Sequence, residues 1–249
     1  MHWPLATGSG ASRRQLSCYS RNGILPPDNP RPRSREMDPT ELSLRQSIID
    51  TCLRMNREGI NQGTSGNVSA RWNGGMLVSP SGIPYEELKP ADIVFLDATG
   101  EHAAGQRPSS EWRLHLGILQ ARPQAGAVVH THSVHATALS MRGMEIPAAH
   151  YMVAAGGGPN IRCARYATFG TAELSAHAIE ALEDRSACLL ANHGVVATGT
   201  ELRRALWLAG EIEVLARQYI LSLMLGGPDL LSEAEIERVR ERFRDYGLR

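Results

Sequence analysis

His130 and His132 stand two positions apart in AVVHTHSVHATALS (residues 127–140), directly after Ala127-Val128-Val129. An apolar run of this kind reads as a buried strand, and on a strand residues i and i+2 share a face. Two imidazoles on one face can reach a single ion, and a polar ring placed in such a strand needs a partner. His135 falls on the turn into the next element, where a capping or packing role is expected. An HxH pair alone does not decide between a metal ion and two satisfied structural histidines. A third nitrogen and a carboxylate would.

LLANHGVVATG offers the nitrogen. His193 closes an apolar run just before Gly194, where a side chain can leave a strand at the rim of a sheet. Alone it would read as structural. Beside a same-face pair it becomes a third ligand, and three histidines with an open position are what a catalytic Zn²⁺ site uses. Glu111, in RPSSEWRLH, offers the carboxylate. Acids are common where a helix opens because they favour its dipole, and the preceding Ser109 and Ser110 are ordinary caps. Two hydroxyls beside free helix N–H groups also make an anion site, and a glutamate next to both phosphate and metal would be a general base. NQGTSGNVSAR (61–71) and SPSGIPYEEL (79–88) are turns whose amides could form anion-binding nests, or simply turns. Lys89 is the only lysine and precedes a proline. That is a poor place for an activated amine, so carbonyl chemistry would need a metal rather than an imine.

The elements that must position these residues follow from periodicity and punctuation. DPTELSLRQSIIDTCLRMNREG reads as a helix capped by Asp38 or Thr40 and closed by Gly59. Strands are expected at 68–72, 76–79 and 93–97, and SSEWRLHLGILQARP as a capped helix ending at Pro123. The histidine strand, a helix at 133–141, a helix in TFGTAELSAHAIEALED, a strand in SACLLANHG, and helices at about 200–224 and 232–244 complete the pattern. Without strict βαβ alternation the expectation is α+β, a layered α/β/α arrangement around a mostly antiparallel sheet.

At 249 residues the chain can bury a full core. Its formal net charge of +0 gives no general attraction to nucleic acid or anionic membrane. The four cysteines form no CxxC pair, which suits free thiols in a reducing cytoplasm. Residues 1–36 hold six arginines, five prolines and almost no acid. They read as a disordered extension ahead of a single domain at 37–249, or as upstream sequence before a start at Met37. The prolines spoil an amphipathic transit helix, and no signal-peptide core is present. Nucleic-acid binding by this tail would need interleaved aromatics, and it has only Trp3 and Tyr19.

From about Glu41 to Arg249 the chain resembles the class II aldolase/adducin family. NQGTSGNVSAR, SGIPYEEL, PSSEWRLH, AVVHTHSVH, IPAAHYMVAAGG, YATFGT, NHGVVA, ALWLAGEIEVLA and the final YGLR recur in that order. The resemblance implies a Zn²⁺-dependent lyase that cleaves L-fuculose 1-phosphate or a related ketose 1-phosphate. It places zinc ligands at His130, His132 and His193, with Glu111 completing the shell and acting as acid/base. It places phosphate-binding residues at Gly66, Asn67, Ser81, Gly82, Ser109 and Ser110, with Thr64 at their edge. Tyr151 would reach in from a neighbouring subunit of a homotetramer, and Phe169 and Tyr246 would shape the aldehyde pocket. Ser81 stands where the pattern expects Thr, though its amide and hydroxyl can still donate. Related epimerases carry Asp where Glu111 stands, dehydratases stay open as relatives, and adducin-type structural heads lack the ligands. Cupins would want a glutamate soon after HxH, and amidohydrolases would have HxH on a first strand; neither holds here.

Overall fold

The computed structural model describes residues 37–245; the expectations for residues 1–36 and for Tyr246 lie outside them. Asp38 starts the first helix, α1 (Pro39–Arg57). Its carboxylate accepts from the Thr40 and Glu41 amides at 2.7 and 3.3 Å, and Pro39 occupies a first-turn position where no N–H is needed. Ile48, Ile49, Cys52 and Met55 then fall on one buried face at helical spacing.

Seven strands form one sheet: β1 (Asn67–Trp72), β2 (Gly75–Val78), β3 (Val94–Leu96), β4 (Ala127–Thr131), β5 (Cys163–Ala164), β6 (Ala187–Leu190) and β7 (Gly194–Gly199). Their order is β3-β2-β1-β4-β7-β6-β5, and every adjacent pair is antiparallel except β5 with β6. The helices are α2 (Trp112–Ala121), α3 (Val134–Ser140), α4 (Ala172–Ala181), α5 (Leu202–Met224) and α6 (Glu233–Asp245). Alternate strand residues face opposite layers. Val68, Val129, Leu189 and Val195 pack with α1, α3 and α5, whereas Val78, Val128, Cys188 and Val196 pack with α2 and α4. The expected three layers and mostly antiparallel sheet are present. β4 is the central strand, buried at every position, which is why it reads as a continuous apolar run.

Two features depart from the expectation. SACLLANHG is not one strand, because the chain reverses after Leu190 and returns as β7. Asn192 makes that reversal possible by taking a left-handed backbone conformation (φ 54°), which asparagine tolerates better than most residues. β5, at two residues, is too short to leave a period in the sequence. Among the described residues no helix is long and apolar enough to cross a membrane, and Cys52, Cys163 and Cys188 are free thiols.

The start of α3 carries an unforeseen cap. Ser133 occupies the N-cap position, but its hydroxyl makes no capping bond. Instead Glu213, on α5, accepts from the backbone amides of His135 and Ala136 at 2.9 Å each and pairs with His135 Nδ1 at 2.6 Å. His135 therefore pairs with the residue that caps α3 and is not part of the Glu111–His130–His132–His193 group. Replacing Glu213 with Ala leaves those helix amides without an acceptor. It should lower stability by about 1–2 kcal/mol, read as a lower urea midpoint at unchanged slope.

Candidate metal centre

The end of β4, the β6–β7 turn and the start of α2 meet at one point. His130 lies in β4 with no exposed surface, and His132 follows just past the strand on the same face. His193 occupies the turn before β7, and Glu111 is the N-cap residue of α2. Glu111 makes no capping bond of its own; the Ser109 hydroxyl accepts from its amide at 3.2 Å, which leaves the carboxylate free to turn inward. The three imidazole centroids stand 4.8–5.0 Å apart in edge-on pairs. His130 Nε2 lies 3.1 Å from Glu111 Oε2, and His193 Nε2 lies 3.3 Å from Oε1. One ligand atom from each of the four residues falls within 4.8 Å of all the others.

The donor set fits a cation. His130 Nδ1 donates to the Val195 carbonyl at 2.9 Å, which fixes the ring and aims Nε2 at the cluster. Glu111 Oε1 is buried and accepts no hydrogen bond. Burial, aided by the neighbouring His130, pushes the His132 and His193 rings down to about 4, so both present neutral lone pairs near pH 7. Burial also opposes charge on Glu111 and on His130. Their mutual attraction prevails, holding the carboxyl below its usual range and the imidazole above its own.

Two glycines let the backbone close around this point. A Cβ at Gly194 would lie 2.4 Å from the Thr131 carbonyl oxygen and 2.9 Å from the His132 ring. One at Gly66 would lie 2.6 Å from the His130 carbonyl oxygen and from Asn61 Oδ1. Both contacts are closer than real side chains allow.

A cavity of about 420 Å³ opens beside the cluster, lined by His132, His193 and Glu111, while His130 stands behind them. Its size suits a small metabolite. Thr64, Ser110 and Phe169 also line it. Ser81 and Gly82 do not, but the Ser81 hydroxyl donates to the Pro108 carbonyl and accepts from the Ser110 amide, each at 3.0 Å, which ties the two serine loops together. Gly66, Asn67 and Ser109 are buried behind the wall. The Asn67 side chain is turned to Glu111, donating from Nδ2 to Oε2 at 3.1 Å. Tyr151 is half-exposed in the 3-10 turn Tyr151–Gly156 and is not among the residues lining this cavity.

A family model for the class II aldolase and adducin N-terminal domain matches residues 46–220. The chain belongs to this family. It is 55% identical over 207 residues to the L-fuculose phosphate aldolase of Escherichia coli strain K12, covering 83% of this chain and 96% of that protein. It is 50% identical over 211 residues to the 5-methylthioribulose-1-phosphate/5-deoxyribulose-1-phosphate aldolase of Rhodospirillum rubrum, covering 85% and 96%. A solved L-fuculose 1-phosphate aldolase superposes with a TM-score of 0.79 at 38% identity, covering 81% of this chain and 96% of that one.

Within this class II aldolase frame, the sequence reading missed Ser65, Tyr166, Ala167 and Asn192, which also line the cavity. Tyr166 sits in YATFG, from which only Phe169 was drawn. Asn192 was hidden because the turn that carries it reads as strand. His115 and Ser69 were missed too, although each has a legible partner: Ser69 shares a strand face with Asn67, and His115 lies one helical turn after Glu111. Burial pushes the His115 ring down to about 3, so it is neutral.

Gly194→Ala should displace the His132 ring or the turn bearing His193. The expected result is a protein that folds but retains markedly less divalent metal than the wild type by elemental analysis. Equal metal content would show that the turn can relax without cost.

Proposed function

We propose that the protein is a metal-dependent class II aldolase that splits L-fuculose 1-phosphate, or a ketose 1-phosphate of the same kind, into dihydroxyacetone phosphate and L-lactaldehyde. The observation that carries this reading is the convergence of Glu111, His130, His132 and His193 at a metabolite-sized cavity. Its context is a chain 55% identical to an L-fuculose phosphate aldolase. Aldol cleavage needs stabilisation of a carbanion beside a carbonyl. Lys89, the only lysine, is exposed and outside the cavity, so no amine is offered there for an imine.

His130, His132 and His193 would hold Zn²⁺ through Nε2, with Glu111 as a fourth donor. When bound, the ion supplies Lewis-acid stabilisation of developing negative charge. Glu111 is the proton-transfer residue of this reading. Its unpartnered Oε1 is the atom that would exchange a proton with the carbon next to the carbonyl of dihydroxyacetone phosphate. Thr64 and Ser110 stand at the wall where a phosphate would be received. The amides around Gly66, Asn67, Ser81, Gly82 and Ser109 would complete its site. Phe169 would bound the aldehyde end together with Tyr246. Tyr151 would exchange a proton with the aldehyde oxygen in a neighbouring copy of a homotetramer, a reading supported by its exposure and its place away from its own subunit's cavity.

Exhaustive chelation should abolish formation of dihydroxyacetone phosphate from L-fuculose 1-phosphate, and added zinc should restore it. The same coupled assay run with 5-deoxyribulose 1-phosphate and 5-methylthioribulose 1-phosphate ranks the substrates by kcat/KM. A preference for either of these would move the assignment to the second kind of relative. Glu111→Gln keeps the shape of the side chain and removes its basicity. It should lower kcat by about 10²–10⁴-fold with folding intact, and slow proton exchange from dihydroxyacetone phosphate in parallel. Undiminished exchange would send the search for the base elsewhere.

A further inference from the structure

Behind Glu111 runs a line of buried polar groups, none of them among the residues lining the cavity. Ser69 Oγ lies 2.7 Å from His115 Nδ1, His115 Nε2 lies 2.5 Å from Asn67 Oδ1, and Asn67 Nδ2 lies 3.1 Å from Glu111 Oε2. Ser69 and His115 have no exposed surface, and Asn67 and Glu111 are 5% and 4% exposed. Asn67 and Ser69 share the face of β1 that looks toward α2, and Glu111 and His115 are one turn apart at the start of that helix. The ladder sets Asn67 opposite His130, so the line is anchored to the strand that carries the first histidine.

The polarity of the line is fixed from one end. An ionised carboxylate can only accept, so Asn67 must present its amide nitrogen to Glu111 and its carbonyl oxygen to His115. That oxygen can only accept, so His115 must carry its proton on Nε2. Nδ1 is then an acceptor, and Ser69 must donate to it. Every member is satisfied in this one arrangement, and reversing any one of them would set two acceptors or two donors face to face in a buried site. Such a mismatch costs about 1–3 kcal/mol for each group left unpaired.

We propose that His115, with Ser69 behind it, is a positioning residue that holds the Asn67 amide nitrogen against Glu111 Oε2, so that Oε1 is the oxygen offered to the substrate. Glu111 has two equivalent oxygens until something distinguishes them. Asn67 and His130 both engage Oε2, while Oε1 accepts nothing. Without the donor on His115, Asn67 Oδ1 is buried and unpaired, the amide can swing away, and the carboxylate loses the contact that sets its angle. This inference rests on Glu111 being the proton-transfer residue.

Two measurements on the full, metal-loaded chain test it. Imidazole ¹⁵N correlation spectra of the wild type should show His115 protonated on Nε2 and bare on Nδ1, in the metal-free protein as well. The opposite tautomer would overturn the proposal without reference to activity. Proton exchange from dihydroxyacetone phosphate should then separate two substitutions. His115→Leu removes both nitrogens and should slow exchange by about 10²-fold, the scale of a small misplacement of a reacting group, with metal content unchanged. His115→Gln can still donate toward Asn67 and accept from Ser69, and should recover most of that loss. A residue that merely fills space would give the reverse order or no difference, and either result would overturn the proposal. Should the Leu variant fail to fold, Ser69→Ala keeps the ring in place and removes its lock. It leaves His115 Nδ1 buried without a donor and should slow exchange, and an unchanged rate would count against the proposal. Failure of the Glu111 reading itself would appear as undiminished exchange in Glu111→Gln, a result on which the tautomer spectrum does not depend.

Discussion

A carboxylate buried to 4% exposure sets the terms for the residues around it. Taking such a charge out of water costs several kcal/mol unless it is paired and hydrogen-bonded. Glu111 meets that cost with His130 and His193 on one side and the Asn67 amide on another. The imidazoles in turn need something positive among them, since His132 and His193 are neutral and His130 Nε2 points inward. Four groups that would each be unfavourable alone would be mutually satisfied around a cation. The rest of the fold serves to hold them still.

It does so with regular elements rather than flexible loops, which gives tighter placement. Two strand pairs at i and i+2, Asn67 with Ser69 and His130 with His132, face the same layer. One helix pair at i and i+4, Glu111 with His115, looks back at them from α2. The register of β1 on β4 places Asn67 opposite His130. Val68, between Asn67 and Ser69, and Val129, just before His130, point into the other core, so each strand packs on both faces while keeping one polar row. A slip of one residue in that register would turn the histidines into the opposite layer. His193 comes from the β6–β7 turn, which is pinned by the Asn192 backbone conformation and by the close approach of Gly194 to β4.

Much of this was legible because the signals were local and periodic. The HxH pair on an apolar strand, the helix after Pro108, and the layered α/β/α class follow from spacing, whereas the N-cap of that helix is Glu111 and not one of the expected serines. The β6–β7 reversal was not legible. Its residues have strand-like composition, and the break depends on one asparagine taking a left-handed conformation. The Glu213 cap on α3 was invisible for a different reason: it is a contact between residues 78 positions apart, and nothing near Ser133 shows that its own hydroxyl will stay unused. His115 lay between these cases. Its helical relation to Glu111 was available, but a lone histidine in an apolar helix reads as packing until the strand opposite it is known.

Under the proposed function, one carboxylate must both ligate a metal and move a proton, and these roles compete. A tightly ligated oxygen is a weak base, and a free one is a weak ligand. A symmetric carboxylate would have to alternate between the two roles by rotating as a whole, at the cost of reordering a buried charge in every cycle. The surroundings of Glu111 are not symmetric. Oε2 is engaged by the Asn67 amide, which His115 and Ser69 hold in place, and Oε1 faces His193 with no hydrogen bond to give up. The difference between the two oxygens thus reaches back to side chains outside the cavity lining, His115 and Ser69. It also explains why a neutral buried histidine is placed here in preference to a leucine of similar size: an apolar side chain would pack as well, but would leave Asn67 Oδ1 without a donor.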